Sequence, residues 1–107
     1  MKKVNTNEEI KKLIEDNIMA VVYFSGEKCG ACGVIKEKVE KILERYHKIQ
    51  CAEVNGEVYP DLAIGYGVFS VPVLLLYIEN KEAIRVGRNI DLLELERNIK
   101  RYYDMVF

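Results

Sequence analysis

Two cysteines with two residues between them, in the run Cys29-Gly30-Ala31-Cys32, are the side chains of this sequence best suited to do chemistry. The chain has 3 cysteines in 107 residues, and an odd number cannot form a framework of paired cross-links. A chain of this length also buries enough apolar surface to fold without such staples. A C-x-x-C pair can cycle between dithiol and disulfide, can form half of a closed metal site, or can be inert. Because Gly33 follows Cys32, the run also matches the knuckle of structural zinc sites, which need four ligands. No second C-x-x-C exists, and only Cys51 and His47 remain to complete such a site.

The elements that must position the pair separate these readings. Met19 to Ser25 is a continuous apolar, β-branched and aromatic run, the pattern of a strand covered on both faces. From Cys32 to Tyr46, the residues Ile35, Val39, Ile42, Leu43 and Tyr46 recur at the spacing of an amphipathic helix. The cysteines therefore fall where a buried strand hands over to a helix. Residues three apart on a first helical turn share a face, with roughly 5–6 Å between Cβ atoms, so a disulfide can close with little backbone movement. Unpaired N–H groups at a helix start favour negative charge on the first sulfur, lowering its pKa below the free value of about 8.5. Cys29 is the expected exposed nucleophile. Cys32, one turn inward, is the expected resolving thiol that releases a mixed disulfide.

The other segments complete an α/β order. Lys2 to Val4 suggests a short edge strand, and Thr6-Asn7-Glu8-Glu9 has the form of a capping box opening a helix to about Asp16. Ile49 to Asn55 reads as a strand, and Tyr59 to Ile64 as a short helix ended by Gly65 and Gly67. Val71 to Ile78 is a strand with Pro72 near its start, followed by a turn at Glu79 to Glu82 and a hairpin strand at Ala83 to Val86. A helix from about Asp91 closes the chain, its buried seam being Leu92, Leu95, Ile99, Tyr102 and Val106. The order β-α-β-α-β-α-β-β-α predicts one domain over residues 1–107, a mixed sheet with helices on both faces.

Composition narrows the function. Half the residues are hydrophobic, 31% are charged, and the net charge is −1. Lys and Arg are interspersed with Glu rather than gathered into a stripe, which argues against nucleic-acid binding. The first residues lack the apolar core of a secretory signal, and the longest apolar runs are too short to span a bilayer. No membrane association is expected, and a reducing cytoplasm is the expected compartment. Cys51 is expected to pack in its strand as a small apolar residue, with a regulatory thiol as the alternative. His47 fits a surface cap at a helix end, and Tyr102, Tyr103 and the tail Met105-Val106-Phe107 fit helix packing.

Taken together, Val21 to Cys32, then Ala52-Glu53-Val54-Asn55, then Tyr66-Gly67-Val68-Phe69-Ser70-Val71-Pro72-Val73-Leu74-Leu75-Leu76-Tyr77 resemble the thioredoxin family over nearly the whole chain. The resemblance implies the thioredoxin fold and a thiol–disulfide oxidoreductase of the protein-disulfide reductase type. It implies protein disulfides as substrates and a reductase or other thiol as electron donor. No organic cofactor and no metal are expected, and a monomer is expected. It also implies a cis Val71–Pro72 bond, which would expose the Val71 backbone beside Cys29 for pairing with an extended substrate. The alternative is a thioredoxin-fold binding or assembly module whose cysteines hold a metal or cluster.

The departures from the family pattern carry their own expectations. The usual motif reads WCGPC; here the Trp is Lys28 and the Pro is Ala31, and the chain has no Trp. Lys28 places a cation beside Cys29, partly offset by Glu27, and Gly33 weakens the helix start by roughly 1 kcal/mol relative to Ala. The redox potential is therefore expected on the oxidising side of the roughly −270 mV of ordinary thioredoxins. Loss of the Trp also puts recognition by a standard thioredoxin reductase in doubt. The family's buried carboxylate is replaced by Tyr23, and a lysine of the next strand by Glu53. Glu53 is thus either the displaced base that takes the proton from Cys32 or a solvated strand residue.

Overall fold

An apolar run with no polar face must be covered twice, and Met19–Ser25 is: all of its residues are buried. A computed structural model describes all 107 residues. In chain order the elements are β1 (Lys2–Lys3), α1 (Asn7–Glu15), β2 (Met19–Ser25), α2 (Gly30–Leu43), β3 (Gln50–Asn55), α3 (Pro60–Gly65), β4 (Val73–Ile78), β5 (Lys81–Val86) and α4 (Leu92–Val106). The sheet order is β1-β3-β2-β4-β5, which puts β2 at the centre. β3 runs parallel to both β1 and β2, whereas β4 is antiparallel to β2 and to β5.

Alternation along β2 sorts the core into two layers. Ala20, Val22 and Phe24 pack with Ile10 and Ile14 of α1 and Ala63 of α3. Met19, Val21 and Tyr23 pack with Val39, Ile42 and Leu43 of α2 and Leu95 and Ile99 of α4. Burying a large apolar side chain contributes roughly 1.5–3 kcal/mol, so both layers pin the C-terminal end of β2, from which the cysteine loop departs. No helix is long and apolar enough to cross a membrane.

The helix starts differ in a way that matters for the site. Thr6 caps α1 by accepting from Glu9 N–H at 3.2 Å, and Asp91 caps α4 by accepting from Glu94 N–H at 3.1 Å. Cys29 occupies the same position on α2 and makes no side-chain cap bond. The start of α2 thus leaves its first N–H groups without a side-chain acceptor from the cap residue.

Four boundaries differ from the sequence pattern. α2 ends at Leu43, and Tyr46 instead stacks edge-on against Tyr103, with ring centroids 5.1 Å apart. The hairpin turn is only Glu79-Asn80, at φ 49° and 71°, and β5 begins at Lys81. Two positive-φ residues give a turn whose twist matches the strands, but Glu-Asn lacks the Gly that announces it. Gly65 is the last residue of α3, and Gly67, at φ 73°, supplies the left-handed exit. β4 begins at Val73, which leaves Val71 and Pro72 outside the ladder.

Candidate active site

The loop between β2 and α2 is held from outside by a carboxylate. Glu57 Oε1 accepts from Lys28 N–H at 3.0 Å. A Cβ at Gly26 would overlap the Glu57 side chain, so glycine there lets the carboxylate reach the loop. Cys29 and Cys32 form a disulfide, with Cα atoms 5.4 Å apart. Cys29 is half-buried, whereas Cys32 is only 3% exposed.

On the side of Cys29, its Sγ lies 3.7 Å from the Val71 carbonyl oxygen. The Val71–Pro72 peptide bond is cis. Neither the N–H nor the C=O of Val71 has a backbone partner. The oxygen instead accepts from Arg88 Nη2 at 3.2 Å. Glu27 and Lys28 are exposed at the rim, and Gly30 and Ala31 form the first turn of α2 between the sulfurs.

The surroundings of Cys32 are polar. Tyr23 Oη donates to the Cys32 carbonyl at 2.7 Å. Burial, followed by the charge of Glu53, pushes the Tyr23 phenol up to about 12, so it stays a neutral donor. Tyr23 and Glu53 are register partners on β2 and β3. Glu53 accepts from Ser25 Oγ at 2.7 Å and Lys36 Nζ at 2.8 Å. Burial alone would raise the Glu53 pKa, but these bonds outweigh it and hold the carboxyl below its ordinary value. The bond to Glu53 likewise raises Lys36. Cys32, Gly33, Ser25, Lys36 and Glu53 line one cavity of about 440 Å³. Glu53 and Cys32 therefore share a cavity without a direct hydrogen bond.

Cys51 lies on β3, half-buried among the α2-side layer, and burial raises its pKa, which keeps the thiol protonated. No group of three or more His, Cys, Asp or Glu residues comes together in metal-binding geometry.

The Thioredoxin family model matches residues 1–101. The chain belongs to the thioredoxin family. It is 29% identical over 94 residues to the thioredoxin-like protein YdfQ of Bacillus subtilis, covering 88% of this chain and 84% of that one. It is 30% identical over 97 residues to mitochondrial thioredoxin-2 of Schizosaccharomyces pombe, covering 87% and 73%. Among solved structures, a mutant thioredoxin from Halobacterium salinarum superposes with a TM-score of 0.85 at 25% identity, covering 95% and 89% of the two chains. With its C-x-x-C pair at bonding distance, this thioredoxin-family chain is a thiol–disulfide oxidoreductase.

Three residues of this thioredoxin-family site escaped the sequence reading. Glu57 and Lys36 are charged residues at exposed-looking positions, and nothing along the chain ties them to the cysteine loop. Arg88 lies 59 positions beyond Cys29, in the turn after β5, and reaches the site only because β4 and β5 pair. A C-terminal cation after a glycine carries no signal of that approach.

Proposed function

We propose that this protein is a protein-disulfide reductase in which Cys29 is the nucleophile and Cys32 the resolving thiol. The observation that carries the reading is the half-buried Cys29 sulfur, at an uncapped helix start and 3.7 Å from a Val71 carbonyl that lacks a backbone partner. In the reduced protein the Cys29 thiolate attacks one sulfur of a substrate disulfide. A mixed disulfide forms, and the other substrate sulfur leaves as a thiolate. Cys32, deprotonated, then attacks Cys29 Sγ. The Cys29–Cys32 bond closes, the second substrate sulfur leaves, and two electrons have passed to the substrate. A reductase or another dithiol restores the starting state. The N–H and C=O of Val71, which have no backbone partner, suit an extended substrate chain that pairs there strand-to-strand, displacing Arg88 from the oxygen.

Cys32 must lose its proton for the second step, and Glu53 is the proposed acceptor. Its carboxyl is ionised at neutral pH and lines the same cavity, which is roomy enough to hold water between the two. The proposed setting is a reducing compartment such as the cytoplasm, with the protein acting as a monomer. Reduction of insulin by dithiothreitol is the test. The wild type should accelerate precipitation of the insulin B chain and Cys29→Ser should not; equal rates for the two proteins would overturn the reading.

A further inference from the structure

Two arginines sit near one another in sequence and are used in opposite ways. Arg85 spends its guanidinium on structure: it bonds both carboxylate oxygens of Glu82 and the carbonyls of Gly67 and Tyr66. Arg88 makes one hydrogen bond, from Nη2 to the Val71 carbonyl, and belongs to no ion pair. A guanidinium has five N–H donors in a planar fork, so four remain unspent on an exposed side chain. The turn that carries it lies beside the proline of the cis bond: a Cβ on Gly87 would stand 3.7 Å from the Pro72 carbonyl oxygen.

The place where that fork is held gives it a use. Cys29 Sγ and Arg88 Nη2 flank the same oxygen at 3.7 and 3.2 Å, which keeps sulfur and cation within about 7 Å of each other. Any chain that pairs with Val71 and presents a disulfide to Cys29 must pass beside this guanidinium. Lys28, also in no ion pair, adds a positive charge on the cysteine loop beside Glu27, and Glu57, between β3 and α3, directs its carboxylate at Lys28 N–H.

We infer that Arg88 is a specificity-determining residue that selects peptide disulfides carrying a carboxylate next to the attacked cysteine. The inference rests on the reductase reading and names its substrate class. In the free protein Arg88 is parked on the Val71 oxygen. When a substrate amide takes up that oxygen, the guanidinium keeps its place beside the sulfur and turns its free edge to an Asp or Glu side chain. A planar fork bonds a carboxylate with two parallel hydrogen bonds, which an amide side chain cannot match.

The test uses three disulfide peptides of one length, whose cysteine is flanked by Asp, Asn or Lys. The second-order rate of the reduced protein with each is divided by the rate of dithiothreitol on the same peptide. The wild type should favour the Asp over the Asn peptide by about fivefold at low salt, and high salt should shrink that preference, as for a partly exposed ion pair. Arg88→Gln should bring the ratio close to one, and Arg88→Glu should move the preference to the Lys peptide. An unchanged ratio in Arg88→Gln would overturn the inference. So would an equal slowing on all three peptides, which would make Arg88 a support for the Cys29 thiolate or for Val71 alone. If no peptide reacts at all, the reductase reading itself fails.

Discussion

Cys29 and Cys32 are joined by a bond, yet their two sides of the molecule have little in common. The side of Cys29 is an open backbone edge: an unpaired Val71 peptide, a cation parked on its oxygen, and an uncapped helix start. The side of Cys32 is a polar side-chain cluster around a buried sulfur-bearing residue, with Tyr23 on its carbonyl and the Lys36–Glu53–Ser25 network across a shared cavity. The contrast assigns different work to each side. An open edge with spare donors can receive another chain, whereas a cavity lined by a carboxylate can take up a proton.

The contrast breaks most sharply at the sulfurs themselves. Cys29→Ser should lower disulfide reduction on the order of 10³-fold or more, the scale of losing a nucleophile. Cys32→Ser should instead stall at the mixed disulfide, visible by mass spectrometry as a covalent adduct. An adduct on residue 32 of the Cys29→Ser protein would reverse the assigned roles. Next, Glu53→Gln should slow resolution of the mixed disulfide by about tenfold, less than the 10²–10⁴ of a directly bonded base. Unchanged single-turnover kinetics would return Glu53 to a purely structural part.

Smaller effects sharpen the same picture. Equilibration with glutathione should place the midpoint potential roughly 30 mV or more above the −270 mV typical of thioredoxins; a value at or below that figure would contradict the parts given to Lys28, Ala31 and Gly33. Lys28→Gln should slow alkylation of Cys29 in the reduced protein at pH 7 by about twofold, the scale of one exposed charge, and an unchanged rate would remove Lys28 from the site. The Lys36–Glu53 pair also makes stability depend on pH. Glu53 has a lowered pKa in the folded state, so its contribution is present above its unfolded value of about 4.3 and is lost as pH falls through the folded one. Lys36 has a raised pKa, so its share persists below about 10.4 and fades as pH climbs past its folded value. Thermal melts should therefore show the wild type more stable than Glu53→Gln at pH 7, with the gap closing below about pH 4. A gap that stays constant down to pH 2 would exclude the linkage.

Much of this was legible along the chain. The twofold-covered run of β2, the seam of α4, the Thr6 box and the strand-to-helix junction at Cys29 all depend on neighbours a few residues apart, and periodicity reports such relations directly. The Glu79-Asn80 turn is shorter than its polar run suggests, because its left-handed residues are not glycines and leave no mark of where it ends. The apolar spacing runs past the end of α2 because Tyr46 is apolar for its packing on Tyr103 rather than for a place in the helix. Glu53 was singled out from its strand, but its partner Lys36 was not, since the two meet only through the packing of α2 on β3.

From the sequence alone came the fold class, the order of the elements and the pair of sulfurs that carries the chemistry, because these follow from local patterning and from residue types that few other uses explain. The tertiary structure alone decided what surrounds each sulfur. Val71, Arg88, Glu57 and Glu53 come from separate parts of the chain, and only sheet pairing and helix packing bring them to the loop between β2 and α2. Distances across a fold are set by those long-range contacts, and no spacing along the chain encodes them.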